Sequence, residues 1–324
     1  MFEFRAQLMC SALLVLGSGC GATQVRVSRL APAEVTIPVG KPIAITQITG
    51  AGSDRLSAEL TQAVVETKRF QVLERQQLQP VMAELGFSAA GHISDETAIS
   101  FGQMTGAATL IMGDVLGDDY DEKVTSVLGK CTKDGTVYEC TQFTRTAEAT
   151  LRVSLKVLET ETGRVLAAKS LSASRKRSAQ ATDTEPAPIQ AKDEMITECR
   201  TELVQSFVAV IAPHEVTESV SMPTDGDLPE LEAGHKQAQV ANWPVAIEKY
   251  EAAVARSAGP EFDDEQRGLA KYCLGVGLAY SGSFDEGIEQ LERALALNPD
   301  PMFKSQLETV RRFKAEAAKL AEQQ

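Results

Sequence analysis

The stretch QVLERQQLQPVMAELGFSAAGHISDET, residues 71–97, decides the fold predicted for the first half of the chain. A short apolar strand ends at Leu73, and a helix follows it. The apolar residues of that helix recur at the spacing of one buried stripe: Leu78, Val81, Met82 and Leu85. Pro80 is expected in the first turn, where its missing N–H is tolerated. Gly86 is expected to end the helix, and Ser94 to cap the next one.

Strands and helices alternate on both sides of this stretch. The sequence predicts a helix ending at Val65 with one apolar stripe, and a later helix over residues 191–211 with another. The two stripes are Leu56, Leu60 and Val64, and Met195, Cys199, Leu203, Phe207 and Val210. Strands are predicted at residues 42–48, 107–115, 150–158 and 164–171. This order indicates an α/β (α+β) domain in which helices pack on a sheet.

The same residues carry a family resemblance. A run of motif positions matches, in order, Val72, Glu74, Arg75, Leu78, Val81, Glu84, Leu85, Gly86, Ser88, Gly91, Asp95 and Ala98. In this run the chain resembles the CsgG family of envelope proteins, which is typified by the curli secretion channel. The resemblance implies a CsgG-like domain over residues 41–213 and a role in assembly or secretion.

The resemblance also raises the question of a pore, because two hairpins of each channel subunit cross the outer membrane. The corresponding segments here are residues 118–148 and 172–192, and both contain several charged side chains. A charge on the lipid side near the bilayer midplane costs about 2–4 kcal/mol. We therefore expect that neither segment spans the membrane and that residues 182–190, which include Pro186 and Pro188, form a loop.

The amino terminus resembles the leader of a bacterial lipoprotein. Residues 1–19 contain an apolar run of signal-peptide length, and small residues precede Cys20. This pattern predicts lipidation of Cys20, a tether over residues 20–40, and an outer-membrane lipoprotein facing the periplasm. An ordinary secretory signal cut near Ala22 is the alternative.

Four cysteines follow Cys20. Cys131 and Cys140 flank a turn signal, and a disulfide between them fits an oxidising compartment. Zinc is the competing use of paired cysteines, but the spacing is wide and no His is near in sequence. Cys199 and Cys273 lie in predicted helices and are expected to be buried thiols.

The last third of the chain is predicted to form a separate all-α domain. Residues 214–228 are interpreted as a linker, and residues 229–324 resemble tetratricopeptide repeats followed by a capping helix. Small residues at Gly275 and Gly287 are expected to let paired helices approach closely. Such repeats bind proteins or peptides in a concave face, which the pattern predicts to be lined by Leu231, His235, Tyr272 and Val276. The alternative is that these four residues only pack the helices.

The composition restricts the classes of function that the chain can have. The net charge of −13 argues against a nucleic-acid partner, and three histidines offer little for a metal site. No catalytic, cofactor-binding or metal-binding motif is present in the sequence. The prediction is a non-enzymatic envelope lipoprotein that serves assembly or secretion, without a cofactor, and that binds a protein partner through its repeats. It could also form a homo-oligomer. The alternative is an oligomeric secretion-channel subunit of the curli-exporter type.

Overall fold

A computed structural model describes residues 22–73, 75–85, 95–189 and 192–323. In chain order the elements are β1 (Ala22–Ala31), β2 (Pro42–Thr49), α1 (Ser53–Glu66), β3 (Gln71–Leu73), α2 (Arg75–Glu84), α3 (Asp95–Thr105), β4 (Thr109–Lys133), β5 (Thr136–Glu159), β6 (Val165–Thr182), α4 (Lys192–Ile211), β7 (His214–Pro223), α5 (Pro229–Ala238), α6 (Trp243–Ser257), α7 (Asp264–Ser281), α8 (Phe284–Leu297) and α9 (Pro301–Glu322). The predictions for Cys20, Gly86 and Ser94 fall outside the described residues.

The chain divides into two compact units, which are described separately. The sheet unit contains residues 30–214 and the end of the chain from residue 318. The helical unit contains strand β1 up to Arg29 and residues 215–317. No helix in the described ranges combines the length and apolar character needed to cross a bilayer.

The sheet unit is built on five strands in the order β3-β2-β4-β5-β6. Strand β2 pairs in parallel with β3 and β4, whereas β4, β5 and β6 pair antiparallel. The helices pack on the two faces of this sheet, so the predicted sheet-and-helix architecture is confirmed for this unit. The predicted stripes of α1 and α4 are also confirmed, since both are buried on the same sheet face against Leu151, Val153 and Leu155.

Helices α2 and α3 cover the opposite face of the sheet. Leu78 and Phe101 are buried there against Leu110 and Met112 of β4. Helix α2 begins earlier than the sequence analysis expected, so Pro80 lies inside it rather than in its first turn. The pyrrolidine nitrogen at that position cannot donate the hydrogen bond that an interior helical residue normally makes.

Strands β4 and β5 are much longer than predicted, with 25 and 24 residues. Their pairing has one bulge between Val115 and Gly117. Beyond the bulge it is continuous as far as the Lys133–Thr136 pair. Residues 118–148, which correspond to the first hairpin of the family, are therefore one continuous hairpin. Polar side chains on both faces of a strand hide the alternation on which strand prediction depends.

Strand β6 also extends beyond its predicted end at residue 171, and it pairs with β5 until Thr182 lies opposite Gln142. Residues 183–189 then form the predicted loop, as far as the structure describes them. Pro186 is buried, and its carbonyl accepts a hydrogen bond of 2.8 Å from the guanidinium of Arg145. The three long strands β4, β5 and β6 are called the arm below.

In the helical unit, helices α5 to α9 pack around one apolar core. Gly275 and Gly287 lie where α7 and α8 meet, and a Cβ on Gly275 would be 2.9 Å from the carbonyl oxygen of Gly287. The predicted close approach at these two glycines is therefore confirmed. Side chains of α9 complete the core, with Phe303 and Phe313 buried.

Two segments predicted as connections are strands of the helical unit. Residues 22–31, expected to be part of a tether, form β1, and residues 214–223, expected to be part of a linker, form β7. The two strands pair in a two-stranded sheet, which is called the ribbon below. Alternate side chains of the ribbon are apolar and enter the helical core: Val25, Val27, Val220 and Met222. Burial of this apolar face explains why these residues are strands and not connections.

Candidate functional site

The concave face that was predicted for the repeats is called the groove below, and it is filled by the ribbon. Leu231, His235, Tyr272 and Val276, the residues predicted to contact a partner, are all buried, with at most 1% of their surface exposed. They belong to elements that pack against the apolar face of the ribbon. The four residues therefore pack the unit, as in the alternative interpretation, and they offer no free surface to a partner.

Polar groups of the groove bind the backbone of β7. The Nε2–H of His235 donates to the carbonyl of Pro223 at 2.9 Å, and its Nδ1 accepts from the hydroxyl of Tyr250 at 3.0 Å. The hydroxyl of Tyr272 donates to the carbonyl of Ser221 at 3.0 Å. Bonds to main-chain carbonyls can hold an extended segment whatever its side chains. The groove thus holds β7 in the way that a peptide-binding groove holds a peptide.

Burial lowers the pKa of the His235 imidazole below its ordinary value of 6.5, against the opposing effect of the Pro223 carbonyl. The imidazole is therefore protonated more readily in the unfolded chain than in the folded one. His235 stabilises the helical unit above pH 6.5, and that stability is lost as the pH falls below 6.5. We expect the urea midpoint, followed by the fluorescence of Trp243, to be lower at about pH 5.5 than at about pH 8.

His235→Gln is the control, since glutamine keeps a donor but does not titrate in this range. This variant is expected to show a smaller difference between the two pH values. An equal difference in both proteins would contradict the assignment to His235.

Among the described residues of the sheet unit, the most exposed large apolar side chains lie at the tip of the β4–β5 hairpin. Strand β6 ends opposite Gln142, which itself pairs with Val127, so residues 128–141 form a two-stranded extension. Val127, Leu128 and Val137 are 67%, 82% and 61% exposed. Leu128 and Val137 share one face of the hairpin, since Val137 is opposite Thr132, and Val127 lies on the other face. Apolar side chains this exposed at the end of a hairpin are available for an interaction. Sequence analysis missed this site because the apolar pairs at 127–128 and 137–138 are too short to form a pattern.

A disulfide joins the two strands of the tip. Cys131 and Cys140 are bonded, with their Cα atoms 5.8 Å apart. The tip also carries Lys130 and Lys133 together with Asp134 and Glu139, so its formal charges balance. The disulfide restricts the separation of the two strands where β6 no longer supports them.

The base of the tip is held by Arg145 of β5. Its guanidinium contacts the carboxylate of Glu122 at 2.9 Å and that of Glu185 at 3.4 Å, in addition to the carbonyl of Pro186. The hydroxyl of Tyr120 donates to Glu122 at 2.6 Å, and this bond, with those from Arg145, lowers the pKa of the Glu122 carboxyl. These contacts hold the loop of residues 183–189 against the sheet.

The arm has two free edges. Strand β2 pairs with β4 only as far as Asp114, and within the described ranges the rest of β4 pairs only with β5. Strand β6 is the last strand on the other side of the sheet. Unpaired strand edges present N–H and C=O groups that can add a further strand.

The described residues hold no group of three or more His, Cys, Asp or Glu side chains that could bind a metal. Cys199 and Cys273 are free thiols in buried positions, and burial raises the pKa of both. A cleft of about 330 Å³ in the sheet unit is lined by Lys41, Glu159 and Glu161 but by no His or Cys. It therefore offers no Cys–His or Ser–His pair for nucleophilic catalysis.

Comparison with known proteins supports the fold of the sheet unit. The family model described as "Curli production assembly/transport component CsgG" matches residues 22–239, which is more than half of the chain. No curated protein matches the chain.

Three solved structures illustrate the similarity. The PelC dodecamer from Paraburkholderia phytofirmans is 12% identical, with a TM-score of 0.29, and the match covers 59% of this chain and 99% of that one. Lipoprotein GNA1162 from Neisseria meningitidis is 11% identical, with a TM-score of 0.29, and the match covers 52% of this chain and 97% of that one. The LpoB C-terminal domain from Salmonella enterica is 12% identical, with a TM-score of 0.26, and the match covers 42% of this chain and 84% of that one.

Proposed function

This chain belongs to the CsgG family of curli production assembly/transport components, and from that premise we propose that it is a non-enzymatic accessory protein of the cell envelope. It serves assembly or secretion, is anchored in the outer membrane by a lipid on Cys20, and faces the periplasm. It acts as an oligomer, and it binds a protein partner. The family, the leader sequence and the exposed arm support this proposal.

The observation that carries the proposal is the arm with its two free edges. Strand β4 is unpaired on one side of the arm and β6 on the other, and both run in the same direction because each pairs antiparallel with β5. The free edge of β4 in one copy can therefore pair in parallel with β6 of the next. Such a head-to-tail contact uses two different surfaces, and it forms a ring if the rotation closes.

The helical unit is a tetratricopeptide-like array in this proposal. The close approach at Gly275 and Gly287, the burial of Leu291 and the capping position of α9 support that assignment. Its groove holds the ribbon of the same chain, so the groove does not receive the partner. We place the partner at the hairpin tip, where Val127, Leu128 and Val137 are exposed.

Paired cysteines at the two edges of the arm test the assembly. Lys123 and Ser178 lie in one row across the sheet, since both are opposite Thr146. Two strand spacings separate them by about 9.5 Å. Disulfides need Cα atoms within about 7 Å, so Lys123→Cys with Ser178→Cys can bridge only between copies.

We expect mild oxidation of this double variant, and of variants with the second cysteine moved two residues along β6, to give a covalent ladder of oligomers in at least one register. Each single-cysteine variant is the matched control and should stop at the dimer. Monomers alone in every register would contradict edge-to-edge assembly.

The alternative function is a secretion-channel subunit, and the length of β4 and β5 favours it, since about 9–11 residues suffice for a strand to cross a bilayer. Residues 183–189 weigh against it, because they turn back onto the sheet and supply no fourth long strand. The charged pair of Arg145 and Glu122 also lies within the arm.

A further inference from the structure

Strand β1 begins two residues after Cys20, the residue to which the proposed function assigns the lipid. Residues 20–40 were expected to be a tether, yet Val25 and Val27 are buried in the core of the helical unit. Two residues of extended chain span at most about 7 Å. The connection between Cys20 and the folded helical unit is therefore very short.

Specific contacts fasten β1 within this unit. The guanidinium of Arg29 lies 3.9 Å from the ring centroid of Phe313, and it forms ion pairs with the carboxylates of Glu218 at 2.9 Å and Glu316 at 2.7 Å. The hydroxyls of Ser28 and Thr217 are 3.1 Å apart. Release of β1 as a tether would break these bonds and expose its buried valines. The strand therefore remains part of the unit when the lipid is inserted.

The outward face of β1 is polar and basic. Gln24, Arg26 and Ser28 are exposed and alternate with the buried valines. Arg26 is the exposed arginine of this face, whereas Arg29 is paired with Glu218 and Glu316. An exposed arginine close to a lipid anchor is complementary to anionic headgroups.

We propose that the helical unit rests directly on the bilayer, with the Ala22 end of β1 against the phospholipid headgroups. This inference rests on the proposed lipidation of Cys20. The headgroup layer on each side of a bilayer is about 5–8 Å thick, which is comparable to the greatest length of the connection. The helical unit accordingly stays at the membrane surface and does not sample the periplasm on a long linker.

Energy transfer from Trp243 tests this placement. Trp243 is the single tryptophan of the chain, and it lies in the helical core, stacked on Tyr280 with ring centroids 5.5 Å apart. The full-length acylated protein is reconstituted into vesicles that contain a phospholipid with a dansyl headgroup as acceptor. The Trp243→Phe variant gives the background. The matched control carries a Gly/Ser spacer of about 20 residues between Gly21 and Ala22, whose end-to-end distance is about 25 Å.

We expect several-fold more transfer from the native chain than from the spacer variant, because transfer falls steeply with distance. Equally low transfer in the two chains, with acylation established by the mass of the amino-terminal peptide, would overturn this inference and leave the anchor intact. A mass without acyl chains would overturn the anchor and this inference together.

Discussion

Gly113→Ala is expected to destabilise the sheet unit by about 3 kcal/mol or more, because the new methyl group has no space. Gly113 lies in β4 between β2 and β5, opposite Ile48 and Leu155. A Cβ there would be 2.0 Å from the carbonyl oxygen of Ser154 and 3.0 Å from the Cα of Leu155. Both are backbone atoms fixed by the strand ladder, so the whole centre of the sheet would have to shift.

Gly129→Ala is the matched control for this substitution. It lies on the same strand, and the nearest atom to a Cβ there is the side-chain nitrogen of Gln142 at 4.0 Å. Its unfolding free energy is expected to stay within about 0.5 kcal/mol of the native value. Thermal unfolding followed by circular dichroism compares the two variants. Equal stability of the two variants would contradict the packing at Gly113.

Tyr272→Ala is expected to cost the helical unit about 3–5 kcal/mol, the range for loss of a large buried aromatic side chain. Tyr272 is 1% exposed and stacks on Phe303 with ring centroids 4.6 Å apart. Tyr272→Phe keeps the ring and removes only the hydrogen bond to Ser221, so it should cost about 1 kcal/mol. Urea unfolding followed by Trp243 fluorescence measures both changes.

These two variants also decide between the two interpretations of the groove. If Tyr272 lined an open binding face, its truncation would change stability little, as is typical of surface positions. A loss below about 1 kcal/mol in Tyr272→Ala would therefore show that the ribbon does not fill the groove. Tyr138→Ala at the hairpin tip is the exposed control and should leave the fluorescence transition unchanged.

Sequence patterns predicted those elements that bury one face within a short stretch. The alternation of Leu151, Val153 and Leu155 identified a strand, and the stripe of α4 identified a helix, because each pattern repeats often enough to be recognised. The repeat glycines at 275 and 287 could be predicted for a similar reason, since a close helix approach admits few residue types.

The arm and the ribbon could not be predicted in this way. The outer part of β4 has polar side chains on both faces, such as those of Glu122 and Lys123, so the sequence carries no apolar alternation that would show how far the strand extends. The ribbon joins strands that are almost two hundred residues apart, and local patterns contain no information on such pairings. The four groove residues were identified by repeat position, but their burial depends on this distant pairing.

The central claim is that the chain is a lipid-anchored, self-assembling accessory protein and not a pore. The most direct test is to express the full chain with its leader, extract it from membranes in mild detergent, and measure its mass and its conductance in a planar bilayer. The account predicts a mass that is a multiple of the acylated monomer and no conductance above that of the detergent. A monomer at all concentrations, or a ring that conducts, would contradict it.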